Sequence, residues 1–116
     1  MTNRFAPMPE APYYAVIFAN RLKADHDGYE DMGERMFELA MAQPGCIGAE
    51  STRDESGFGI TVSYWQDEAS LLAWKANIDH LAAQRSGMEK WYEHYRLRVA
   101  KVERGYCGPE GRNLAL

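Results

Sequence analysis

The sequence predicts an α+β domain of order β-α-β-β-α-β, in which a four-stranded antiparallel sheet carries both helices on one face. Three observations predict it. Apolar residues alternate with period two in four segments, recur at three- and four-residue steps in two others, and are separated by breaks rich in glycine, proline or polar residues. The 116 residues, 46% hydrophobic and 26% charged, suffice for one core and leave no length for a separate cofactor-binding domain.

The elements follow in order. Met1 to Pro12 holds three of the five prolines and no apolar period, so it reads as an arm (residues 1–12) ahead of the domain. Tyr13 to Arg21 is the first strand, with Tyr14, Val16 and Phe18 on one face and Tyr13, Ala15, Ile17 and Ala19 on the other. A strand apolar on both faces must be covered on both. The polar stretch Lys23 to Gly28 supplies an N-cap, and Tyr29, Met32, Met36, Leu39, Ala40 and Gln43 follow at helical spacing until Pro44-Gly45 stops the helix.

Ile47 to Asp54 and Phe58 to Trp65 flank the turn Glu55-Ser56-Gly57 and form a hairpin, with Phe58, Ile60, Val62 and Tyr64 sharing a face. Asp67 caps the second helix, whose stripe is Leu71, Trp74, Ile78 and Leu81, and which runs to about Arg85 before Ser86-Gly87. Tyr92 to Arg104 closes the domain as the last strand, with Tyr95, Leu97 and Val99 on one side and Ala100 and Val102 on the other. The domain thus covers residues 13–104, and a glycine-bearing tail covers 105–116. Two βαβ halves in this order give the ferredoxin-like arrangement. Its helix-free face carries the outward apolar residues of strands one and three, so the sheet is expected to pack on a second copy of itself as a homodimer.

Composition excludes several classes of function. Lys and Arg number 13 against 17 Asp and Glu, a formal charge of −4, so no basic field exists to hold a nucleic acid. No apolar run reaches the ~20 residues of a membrane span, and the first residues lack a signal-peptide core, which predicts a cytoplasmic protein with no membrane partner. The two cysteines, Cys46 and Cys107, sit in no metal-binding spacing and are expected to stay reduced. A glycine-rich phosphate loop, a GxSxG elbow and a two-His-one-carboxylate spacing are all missing from the sequence.

The element order, Ser63-Tyr64-Trp65-Gln66-Asp67-Glu68 at the hairpin's end, Gln43-Pro44-Gly45 before the second strand, and Trp74 followed by His80, Ala83 and Gln84 resemble the antibiotic biosynthesis monooxygenase family. That family belongs to the dimeric α/β-barrel superfamily, and the likeness spans about Tyr13 to Arg104. The resemblance implies a pocket between sheet and helices and oxygenation of an electron-rich aromatic or quinol with neither metal nor flavin; one branch instead binds and degrades haem. In that branch an Asn on strand one, a Trp on the later helix and a His ten residues further on form the site. The first two match Asn20 and Trp74, while the third position is Gln84, with His80 one turn earlier. The polyketide-oxidising branch has an Asn four residues before the Trp that ends strand three; here Thr61 precedes Trp65.

The candidate catalytic residues are Asn20, Trp74 and His80, and the candidate substrate contacts are Gln84, Trp65, Phe18 and Met36. Asn20 shares the register of Tyr14, Val16 and Phe18, so its amide either orients a substrate oxygen or closes the strand on local backbone. Trp74 either stacks on a flat substrate or fills the core. His80 either removes a phenolic proton or rides on a solvated helix flank. The group Tyr92, Tyr95, Arg96 and Arg98 either binds an anionic ring substituent or serves an interface. The expected function is a cofactor-independent monooxygenase acting on a small aromatic or quinol. A haem-degrading variant using His80 and a non-catalytic binder of small hydrophobic molecules are the alternatives.

Overall fold

A computed structural model describes residues 4–85 and 90–109, except for the side chains of residues 78–85. It contains β1 (Tyr13–Leu22), α1 (Tyr29–Ala42), β2 (Cys46–Arg53), β3 (Phe58–Trp65), α2 (Glu68–Arg85) and β4 (Tyr92–Val102). The expected order holds. The strands form one sheet in the order β2-β3-β1-β4, each neighbouring pair antiparallel, so the two central strands are the most apolar ones. No helix among the described residues is long and apolar enough to cross a membrane.

Register assigns every strand residue to a face. Tyr14 pairs with Trp65, Val16 with Ser63, Phe18 with Thr61 and Asn20 with Gly59, and these residues face the helices. Val16, Ala40, Trp65, Leu71 and Trp74 form the buried core, with Tyr14, Met36 and Cys46 packed against it. Burial raises the Cys46 thiol above its ordinary pKa, in keeping with a thiol that serves as a small apolar side chain.

The helices start and stop for local reasons. The Asp67 carboxylate accepts the Ser70 backbone N–H at 2.8 Å, as an N-cap should. Hydrogen bonds from Ser70 hold that carboxyl below its usual range. Within the stretch Lys23 to Gly28 expected to cap α1, the N-cap is Gly28 in the left-handed region (φ +84°), with no side-chain cap bond. The chain turns there more sharply than a β-carbon readily permits. The α1 stripe also shifts, because Met36 and Ala40 reach the core while Leu39 stays 43% exposed, rotated about 100° from Ala40. On α2, Leu71 and Trp74 are buried as expected; the side chains of Ile78 and Leu81 lie outside the described residues.

On the opposite face lie Tyr13, Ala15, Ile17, Ile60, Val62 and Tyr64. Part of it is covered by the chain's own arm. Arg4 donates to the Ser51 carbonyl, the Ala6 N–H donates to Glu50 Oε2 at 3.0 Å, and Pro7 sits so close to Gly48 that a β-carbon there would lie 2.9 Å from its ring. Tyr64 donates its hydroxyl to Glu50 at 2.7 Å. Burial and that acceptor push its phenol up to about 12. The far half of the face, with Phe58 and Ile60, remains exposed.

Candidate functional site

The helix face of the sheet has two ends. Trp65 is fully buried and its ring stacks on Trp74, centroids 6.0 Å apart at 21°. Its indole N–H donates to Ser63 Oγ at 2.9 Å. The two large rings therefore stack on one another, and Trp65 also finds its polar partner inside the protein. Met36 belongs to the same end. Asn20 lies six residues along β1 from the row of Trp65, roughly 20 Å at the rise of a strand. The fold thus separates the candidates into Trp65, Trp74 and Met36 at one end and Phe18 and Asn20 at the other. His80 and Gln84 occur on α2, and their side chains lie outside the described residues.

Asn20 is 3% exposed. Its Nδ2 donates to the Phe18 carbonyl at a long 3.4 Å, and its buried Oδ1 has no hydrogen-bond partner. A buried acceptor left in this state costs about 1–3 kcal/mol, which local strand chemistry does not return. Around it stands an aromatic cluster that joins Phe18, Tyr92 and Tyr95 to Tyr29 and Trp91, the last two of which the sequence did not point to as site residues. Phe18 meets Tyr92 edge-on at 5.4 Å and Tyr95 at 5.6 Å, and Tyr29 meets Tyr92 at 5.7 Å and Trp91 at 6.2 Å. Trp91 is fixed by its indole N–H donating to the Asp27 carbonyl at 3.0 Å.

Tyr92 reaches this cluster because pairing shifts by one residue between Arg21 and Leu22. His94 pairs with Arg21, and Tyr92 rather than Glu93 pairs with Leu22. Such an irregularity re-aims a side chain to the other face. The expected group of Tyr92, Tyr95, Arg96 and Arg98 is therefore divided. Tyr92 and Tyr95 face the helices, whereas Arg96 and Arg98 pair opposite Ala19 and Ile17 and lie on the other face with His94.

Arg53, at the end of β2, completes this end. Its Nη1 donates to the Gly57 carbonyl at 2.6 Å and its Nη2 to the Tyr29 hydroxyl at 3.0 Å, and its guanidinium carbon lies 5.4 Å from the Tyr29 ring centroid. The Tyr92 hydroxyl donates to the same Tyr29 oxygen at 3.4 Å. Burial, followed by that bond, raises the Tyr92 phenol well above its ordinary pKa, so it remains a donor at neutral pH. Gly59 was the available signal for Arg53, because a glycine inside a strand marks a close approach. A β-carbon at Gly59 would lie 2.8 Å from the Arg53 guanidinium carbon.

Two open cavities flank this end. One, about 330 Å³, is lined by Lys23, Tyr92, Glu93, His94 and Tyr95, so Tyr92 and Tyr95 belong both to it and to the cluster. The other, about 460 Å³, lies against Gly28, Asp31, Met32, Arg35, Lys90 and Trp91. Neither is lined by Asn20 or Trp74. Beyond them, Tyr95, Leu97 and Val99 expose the helix face of β4. Among the described residues, no three His, Cys, Asp or Glu side chains converge in a way that suits a metal ion.

Comparison with known proteins places this geometry in a family. The family model described as antibiotic biosynthesis monooxygenase matches residues 14–86. The uncharacterized protein YqjZ of Bacillus subtilis is 43% identical over 113 residues, 97% of this chain and 99% of its own length. A jasmonate monooxygenase of Pyricularia oryzae is 39% identical over 46 residues, 40% of this chain and 21% of its own. Among solved structures, the cofactor-independent oxygenase SnoaB of Streptomyces nogalater superposes with a TM-score of 0.67 at 11% identity, covering 82% of this chain and 97% of that one. At that identity the likeness speaks for the fold.

Proposed function

The chain belongs to the antibiotic biosynthesis monooxygenase family, and from that premise we propose that it is a cofactor-independent monooxygenase acting on a small aromatic or quinol-type compound. The observation that carries this reading is Asn20, a nearly fully buried amide whose Oδ1 lacks a partner beneath a cluster of aromatic rings. Such an amide suits a ligand oxygen, since it offers a donor and an acceptor and does not titrate. The neighbouring Phe18, Tyr92 and Tyr95 offer edges and faces to a flat ring. SnoaB, described as cofactor-independent, supports the same chemistry by family likeness.

With no bound redox group required, the substrate supplies the electrons. A quinol that has lost a proton gives an electron to dioxygen; the ring radical and superoxide combine at a ring carbon and take up a proton to give a hydroperoxide, whose O–O bond breaks as that carbon loses its hydrogen, so that one oxygen atom stays on the ring as a carbonyl and the other leaves as water. The protein's part is to hold the ring, exclude water and orient the reacting oxygen. Asn20 is the orienting group in this reading, and His80 on α2 is the base that removes the phenolic proton. Trp74 acts by stacking on Trp65 and fixing the floor of the fold. The working unit is a homodimer joined through the exposed half of the helix-free face, around Phe58 and Ile60.

Oxygen uptake with a panel of quinols and anthrones tests the reading. It requires a protein-dependent rate that survives chelators and needs no added flavin or haem. A rate equal to that of buffer across the panel rejects it.

A further inference from the structure

Arg53 is a cation with a place in the site and no assigned use. Register sets Arg53, Gly59, Asn20 and Tyr95 in one row across all four strands, on the helix face. Gly59 stands between Arg53 and Asn20, and the guanidinium lies over it at a distance that a side chain there would forbid. The row therefore brings a guanidinium toward the buried amide whose acceptor is unsatisfied.

The guanidinium is held, yet it is not neutralised. It is clamped by the Gly57 carbonyl and the Tyr29 hydroxyl, and among the described residues no carboxylate pairs with it. Of its five N–H groups, these bonds occupy one on each terminal nitrogen. Tyr29 accepts from both Arg53 and Tyr92, which fills its lone pairs and leaves its own proton to give. This end of the sheet thus presents an unpaired planar cation, a phenolic donor and a buried amide acceptor, bordered by aromatic rings.

Resting on the function proposed above, we propose that Arg53 is the anion receptor of this site, and that the ligand is an aromatic compound whose ring oxygen is bound ionised. A phenolate or enolate oxygen accepts from Arg53 and Tyr29, while a neighbouring hydroxyl of the same ligand donates to Asn20 Oδ1. A guanidinium in a partly desolvated position favours the ionised form of an oxygen acid. Stabilising that anion also eases the proton loss that must precede its reaction with dioxygen. Holding the hairpin turn through Gly57 is the structural alternative for Arg53, and only a charge-sensitive readout separates the two roles.

The experiment uses 4-nitrophenol, whose phenolate and phenol absorb at different wavelengths, titrated with pH in the presence of the full chain. Wild-type protein should bind the phenolate about tenfold more tightly than the phenol, lowering the bound probe's pKa by about one unit. Arg53→Gln should abolish that shift, and Arg53→Lys should retain part of it. Gly59→Ala should abolish it with Arg53 still present, by displacing the guanidinium. An equal probe pKa on wild type and Arg53→Gln overturns the inference while leaving the oxygenase reading in place. Probe that binds in neither form overturns it as well. A full shift without oxygen uptake on any quinol sustains the receptor and rejects the reaction.

Discussion

Replacing Asn20 by leucine should make the protein more stable. The wild-type amide is 3% exposed, its Oδ1 has no partner, and its single hydrogen bond, to the Phe18 carbonyl, is stretched to 3.4 Å. An unsatisfied buried acceptor costs about 1–3 kcal/mol, and a bond at that length returns about 0.5 kcal/mol at most. Leucine has similar length, carries no polar atom and adds apolar burial beside Phe18, offset in part by the strain of its branched end. The net expectation is a gain of about 1–2 kcal/mol, or a Tm higher by roughly 4–10 °C for a domain near this size. Thermal and urea unfolding, compared at equal protein concentration because association would shift both, measure it. A loss of about 1 kcal/mol or more would refute the reasoning, since the amide would then be a structural strand-end group.

Three further expectations follow from the same geometry. Trp74→Ala removes a ring stacked on the fully buried Trp65 and should destabilise by about 3–5 kcal/mol, read from denaturant midpoints; a change under 1 kcal/mol would show that the stack contributes little. Ile60→Lys on the exposed half of the helix-free face should shift sedimentation from dimer toward monomer, whereas Leu72→Lys, exposed on α2, should not. Asp54 accepts from the Ser56 hydroxyl, first among the causes that hold its carboxyl below the ordinary value, and from the Ser56 and Phe58 backbone N–H groups. Its folded pKa is therefore below its unfolded one, so this contribution is present above the unfolded pKa and fades as pH falls through the folded one. Asp54→Asn should flatten that acid limb of the stability profile.

The sequence carried the architecture because period, caps and turns agree with one another at every element. Val16, Leu71 and Trp74 were legible as core from spacing alone, and Asp67 as a cap from its place before an apolar stripe, whereas Trp65, expected as a substrate contact, fills the core instead. Asn20 was legible because alternation put it in register with Val16. The rest of that end was hidden by events with no periodic signature. One irregular pairing beside Leu22 turns Tyr92 away from the face of Arg96 and Arg98. A left-handed glycine in place of a side-chain cap starts α1, which brings Tyr29 under Arg53. Arg53 carries no periodic signal at the end of its hairpin strand, and only Gly59 marks that a side chain crosses the backbone there. The family resemblance also implied one site for Asn20 and Trp74, but the length of β1 sets Asn20 far from the row of Trp65.

Isotope-labelled dioxygen tests the account most directly. A quinol that gives protein-dependent oxygen uptake is converted under ¹⁸O₂ in the presence of a metal chelator, by wild type and by Asn20→Leu. The account predicts one labelled atom in the ring product of wild type and almost none from the variant, although the variant is the more stable protein. Label derived from water, or equal incorporation by both proteins, would contradict it.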